Sequence, residues 1–303
     1  MSFLYFLERL RTPVLNEIML LITRFGEETA FLVTALILFW CVDKYKGYFI
    51  LSVGFIGTIT SQLMKLLCRI PRPWVLDENF TILEQAREAA SGYSFPSGHS
   101  QSAVGTFGAI AYSVKNKWVR IASIGICVLV PFSRMYIGVH TPMDVIVGSA
   151  ISVLLIFVLK PLLIDNRERF LPIVLCFMTV FAVAYTCFVA FYPFPADIDA
   201  HNLASGTKNA YTLLGALLGF LVVYTLDEKW LHFSTKAVWW AQILKVVLGL
   251  LIVLAVKSGL KAPLNLQFGE FIGRTARYFL IVVLAGTLWP LTFKWFSKLG
   301  VKR

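Results

Sequence analysis

Apolar and polar positions along the chain fall into long apolar runs separated by short polar connectors, with no strand-like alternation. Nine runs stand out, at 28–42, 47–64, 98–114, 119–133, 142–160, 170–192, 209–226, 237–256 and 278–296. A helix needs about 20 predominantly apolar residues to cross a bilayer, which leaves the first and fourth runs short. The pattern predicts an all-α protein, a polytopic transmembrane helical bundle with eight or nine spans. Helices follow from the solvent, because hydrocarbon cannot satisfy an open backbone. In residues 1–27 the apolar positions are interrupted by Glu8, Arg9, Arg11 and Glu17. That spacing argues against a cleavable signal peptide and predicts an N-terminal interfacial helix.

Composition agrees. Of 303 residues, 58% are hydrophobic and 15% charged, and the mean hydropathy is +0.74. Soluble domains carry about 25% charged residues, so a disordered chain, a fibrous repeat, a small secreted scaffold and an ordinary soluble enzyme are all poor fits. The five cysteines, Cys41, Cys68, Cys127, Cys176 and Cys187, show no zinc-like spacing and read as small buried hydrophobes.

The net charge of +11 is informative through its placement. If all nine runs cross, one set of connectors gathers 15 bases, from Lys44, Lys46 and Lys115 through Lys245 to Lys302 and Arg303, against five acids. The other set holds 13 bases and 12 acids, three of its bases being Lys65, Arg72 and Arg134. Setting those three aside as chemistry leaves 15 against 10, and the positive-inside rule then places the N-terminus outside and the C-terminus inside. The charge is thus a topology signal, and nucleic acid is not an expected partner.

Three clusters between residues 65 and 144 carry the candidate chemistry: Lys65 with Arg72-Pro73, the run Ser94-Phe95-Pro96-Ser97-Gly98-His99-Ser100, and Ser133-Arg134 with His140 and Asp144. Two crossings separate the outer clusters, so all three reach the same side. Together they supply three cations, two of the chain's four histidines and a carboxylate. Arg presents a planar fork to two oxygens and Lys a compact charge, which suits a phosphoryl group. Ser97 and Gly98 open a helix whose free amides attract an anion, and Gly98 lets the backbone come close. His140 and Asp144, four apart, share one face if helical, and a carboxylate on one imidazole nitrogen leaves the other free to attack. A second histidine can protonate the leaving alkoxide. Two His and one Asp are also a conceivable metal site, but three surrounding cations oppose a metal ion, so neither metal nor cofactor is expected.

These clusters resemble the three signature motifs of the type 2 phosphatidic acid phosphatase superfamily, which also contains bacterial acid phosphatases, glucose-6-phosphatases and vanadium haloperoxidases. The resemblance runs from Lys65 to Asp144 and implies specific roles. His140 would attack phosphorus and form a phosphohistidine, with Asp144 orienting it. His99 would protonate the leaving oxygen and later activate water. Lys65, Arg72, Ser97, Gly98 and Arg134 would hold the phosphoryl oxygens.

The division expected is a 1–27 interfacial helix, a 28–165 catalytic core and a 166–303 transmembrane extension. The expected partners are membrane lipids and a phosphorylated lipid substrate: phosphatidate, phosphatidylglycerol phosphate, undecaprenyl diphosphate or a sphingoid-base phosphate. The location expected is a bacterial plasma membrane with the site facing outside, or endoplasmic reticulum with a luminal site. A sugar-phosphate phosphatase similar to glucose-6-phosphatase is the alternative, followed by a lipid phosphotransferase and, furthest, a transporter. Gly215 and Gly219, four apart on one helix, permit close packing within the chain or in a homo-oligomer.

Overall fold

The computed structural model describes residues 1–87 and 90–299. Its helices are α1 (Ser2–Arg9), α2 (Pro13–Thr23), α3 (Glu28–Ile37), α4 (Lys44–Cys68), α5 (Pro73–Leu76), α6 (Gly98–Ser113) and α7 (Lys117–Tyr136). They continue with α8 (Pro142–Lys160), α9 (Arg167–Phe191), α10 (Ala200–Leu226), α11 (Trp239–Gly259), α12 (Lys261–Val283) and α13 (Phe293–Phe296). No strand occurs among the described residues.

Seven described helices are long and apolar enough to cross a membrane, and an eighth span arises if Pro13–Gly26 and Glu28–Val42, bent by 54°, act as one. The run at 98–114 departs from expectation. Helix α6 has only 16 residues, rising about 24 Å against a hydrocarbon core of about 30 Å. It packs on α7 and α8 and buries Gln101, Ala103, Val104, Gly105, Thr106 and Ala109. Enclosed by protein, it does not need a full lipid-facing length. By contrast, Ile146, Leu154 and Phe157 on α8 and Ile121, Ile124 and Val128 on α7 stand exposed, as lipid-facing side chains do.

The chain forms two compact units that interleave along the sequence. The first comprises Met1–Thr34, Phe49–Pro161 and Phe194–Gly206. Its N-terminal segment is two helices, divided at Thr12, whose side chain caps α2 ahead of Pro13. Leu4 of α1 packs with Phe80 and Ile82, and Met19 and Leu20 of α2 pack beside Tyr136, Ile137 and Val139. One face of this segment therefore rests on protein, while Phe3, Phe6, Val14 and Ile18 remain exposed.

The second unit comprises Ala35–Tyr48, Leu162–Pro193 and Thr207–Arg303, of which residues 300–303 are not described. Gly215 and Gly219 lie against the backbone carbonyls of Thr275 and Phe279 on α12, so this pair serves packing within the chain. Helix α12 is broken at Gly269, whose φ of 77° lies in the left-handed region that glycine tolerates. Lys245, grouped with the connectors above, sits inside α11 and is fully buried, while Lys302 and Arg303 lie outside the described residues.

Candidate active site

All eight candidate residues belong to the first unit, and seven of them lie at helix ends. Lys65 lies in the last turn of α4, Arg72 caps α5, Ser97 caps α6 ahead of Gly98 and His99, and Arg134 lies in the last turn of α7. Asp144 is in the first turn of α8 and His140 precedes that helix. The starts of α6 and α8 are joined directly, since the Ser97 amide donates to the Asp144 carbonyl at 2.9 Å. Gly148 allows this approach: a Cβ there would stand 2.5 Å from the Ser97 carbonyl oxygen.

The cations are buried, and among the described residues none of them has a carboxylate at salt-bridge distance. Lys65 donates through Nζ to the carbonyls of Tyr93 and Ser94. Arg72 donates through Nε to Gly92 O at 3.1 Å, through Nη2 to Ser91 O at 2.9 Å and through Nη1 to Val139 O at 2.9 Å. Arg134, 1% exposed, donates to the Thr23 hydroxyl at 2.8 Å, and its Nε has no hydrogen-bond partner among the described residues. Three cations meet two acids that act on them, Asp144 and Glu27. Such a surplus of buried positive charge favours a bound anion.

His140, 1% exposed, has one ring nitrogen on each kind of partner. Arg72 Nη1 lies 3.0 Å from its Nε2. A guanidinium can only donate, so Nε2 accepts and the ring proton belongs on Nδ1. That proton faces Asp144 Oδ2 at 3.5 Å and Ser94 Oγ at 3.4 Å. The tautomer leaves the Nε2 lone pair directed at the cationic clamp. Burial lowers the His140 pKa well below the ordinary histidine value, and Arg72, Arg134, Lys65 and His99 lower it further. The ring is therefore neutral near pH 7, as a nucleophile requires.

The pairing of His140 with Asp144 differs from the expected one. They do not share a helical face, because His140 lies outside α8. Instead Asp144 Oδ2 accepts from the Thr141 amide at 2.7 Å, and the Thr141 hydroxyl accepts from the Asp144 amide, forming a capping box. Ser94 donates to the same carboxylate oxygen at 2.6 Å. The carboxylate is thus fixed by two donors before it meets the imidazole.

His99 supplies the second imidazole, and its Nε2 is buried with no hydrogen-bond partner among the described residues. A Cβ on Gly98 would meet nothing within 4 Å, so open space adjoins the first turn of α6. Among the described residues no group of three His, Cys, Asp or Glu comes together as a metal site. Four supporting residues carried no assigned role in the sequence reading: Ser94, Thr141, Thr23 and Tyr93. The Thr141-x-x-Asp144 spacing was a readable cap signal, whereas Thr23 and Tyr93 reach the site only through tertiary packing.

Comparison with known proteins shows the family. Residues 45–168 match the model of the PAP2 superfamily, and residues 211–302 match that of the PAP2 superfamily phosphatase, transmembrane extension. The chain belongs to the PAP2 superfamily and is an integral membrane protein of that phosphatase group. It is 33% identical to phosphatidylglycerophosphatase B of Bacillus subtilis over 50% of this chain and 76% of that protein. It is 32% identical to the undecaprenyl-diphosphatase of Sulfolobus acidocaldarius over 44% of this chain and 64% of that protein. A longer match, 25% identical over 79% of this chain and 58% of the relative, is to sphingosine-1-phosphate phosphatase 1 of Mus musculus. No solved structure matches the chain.

Proposed function

We propose that this protein hydrolyses a lipid-borne phosphate through a phosphohistidine on His140, at the extracytoplasmic face of the membrane. The observation that carries this reading is the neutral His140 Nε2 held against Arg72 within a buried surplus of cations. The Nε2 lone pair attacks phosphorus as the phosphorus–oxygen ester bond breaks. Asp144 stabilises the imidazolium so formed, and Lys65, Arg72, Arg134 and the Ser97-Gly98 turn hold the phosphoryl oxygens. His99, whose protonated form the phosphate dianion favours, gives its proton to the leaving alkoxide. Water then loses a proton to His99 and attacks phosphorus. The phosphorus–nitrogen bond breaks, and inorganic phosphate leaves with His140 restored.

None of these steps routes an electron pair through a metal. A lipid substrate is supported by the activities for which the relatives are named and by a site built at the ends of membrane helices. The outer face is supported by the connector charges, most of which remain on the opposite side without Lys245. The test is phosphate release from lipid phosphates by the purified chain in detergent, with and without a chelator. Release that persists in chelator is expected. Strict dependence on an added metal ion would contradict the mechanism.

A further inference from the structure

The family match begins at residue 45, yet the segment before it reaches into the site. Helices α1 and α2 lie in the same unit as the clamp and rest on the stretch between Arg134 and His140. Arg11 Nε donates to the Tyr136 carbonyl at 3.0 Å, and the Tyr136 hydroxyl donates to Asn16 Oδ1 at 3.0 Å. Two contacts at the end of α2 come closer to the chemistry. The hydroxyl of Thr23, a residue 6% exposed, accepts from Arg134 Nη1 at 2.8 Å. Gly26 lies against the backbone of His99, where a Cβ would stand 2.8 Å from the His99 carbonyl oxygen.

A neutral acceptor suits a cation that has work to do. The Arg134 guanidinium is planar and sits on a long stem, so a contact that fixes one nitrogen restricts the plane of all three. A carboxylate in the place of Thr23 would restrict it as well, but would compete with a phosphate for the same charge. The hydroxyl leaves that charge in place. It also leaves Arg134 Nε with no hydrogen-bond partner among the described residues, a donor available to a phosphoryl oxygen.

We propose that the N-terminal segment is part of the catalytic apparatus, with Thr23 as a positioning residue that holds the Arg134 guanidinium in the orientation the phosphoryl transfer needs. This rests on the phosphatase reading above and adds a residue from outside the three motifs. Thr23 acts through Arg134 and touches neither the substrate nor the reacting nitrogen. Donors that are already oriented need no rearrangement as charge develops, so they favour the transition state over the bound ground state. Loss of the hold should therefore appear in kcat more than in KM.

The test compares the full chain with three variants in detergent, using p-nitrophenyl phosphate and phosphatidate as substrates. Thr23→Val keeps the branched shape and removes the oxygen, and Thr23→Ala removes it without the bulk of valine. Thr23→Ser keeps the oxygen and loses only the methyl. Rates are expressed per folded molecule, from thermal melts of each variant. Thr23→Val and Thr23→Ala should each lose about tenfold in kcat, the scale of one hydrogen bond to a charged group, with KM within about twofold of wild type. Thr23→Ser should recover most of that loss. Wild-type kcat in the variants without the oxygen, even where they melt earlier, would overturn the positioning role. A loss that Thr23→Ser shares in full would overturn it too. In both cases hydrolysis by the wild type leaves the phosphatase reading standing. A wild type that releases phosphate from neither substrate would instead overturn the phosphatase reading, and the role of Thr23 with it.

Discussion

Buried charge is handled differently in the two units. In the second, Lys44 and Asp227 meet at 2.6 Å, the carboxylate fully buried and also accepting the Phe233 amide. Lys245 donates to the Thr235 carbonyl at 3.2 Å and lies 4.2 Å from the centre of the Phe293 ring. These ions have settled, local partners, which is how a membrane protein tolerates charge for the sake of packing. In the first unit, Lys65, Arg72 and Arg134 converge on two imidazoles and donate to carbonyls and a hydroxyl. Carbonyl dipoles can hold a cation without cancelling its charge. A one-to-one buried pair reads as structure, and an uncancelled cluster reads as a site awaiting an anion.

Breaking each kind of arrangement separates them. Of the charge-changing variants, Asp144→Asn is expected to have the largest effect, because it keeps the shape but weakens support for the imidazolium. Turnover should fall by about 10³. Thr141→Ala gives the control, because it removes the cap at a cost of about 1 kcal/mol and leaves the carboxylate beside His140. Steady-state rates beside thermal melts in detergent compare the two, and an equal fall in both variants would make Asp144 a cap alone.

Arg72→Gln comes next, with a loss of about 10² in kcat/KM and a change in pH profile. The cation lowers the His140 pKa, so its removal lets the ring protonate at higher pH. The acid limb of kcat/KM should move upward in pH. A limb that stays fixed or moves down would separate Arg72 from His140. The same sign governs stability. A histidine held neutral by burial contributes stability above its unfolded pKa, and that stability declines as pH falls and the unfolded chain takes up protons.

The smallest effect on turnover is expected in the second unit. Asp227→Asn breaks a buried pair and should cost about 3 kcal/mol of stability, read as a lower melting temperature. The rate per folded molecule should stay close to wild type. A rate loss comparable with that of Asp144→Asn would erase the distinction between the units.

Much of this was legible in the sequence, for reasons particular residues make clear. The long apolar runs became helices because hydrocarbon leaves few other options, and their lengths located seven of the spans. Helix α6 is shorter than a lipid-facing span because protein surrounds it, which hydropathy does not register. Residue types at short spacing singled out the candidate cations and both histidines, which lie in one unit. The partnership of His140 and Asp144 was legible as a pair but not in its geometry, since the helix begins after His140 at Pro142. Contacts from far along the chain carried no local signal: Thr23 on Arg134, and Tyr93 between Lys65 and Asp199, depend on packing that periodicity does not encode.

The most direct measurement is a rapid quench of the enzyme during turnover of a lipid substrate labelled in its phosphate. The mechanism predicts an acid-labile, base-stable phosphoryl group on His140, and His140→Ala should show neither the label nor turnover. Turnover in His140→Ala, or label that remains on the protein after that substitution, would contradict it.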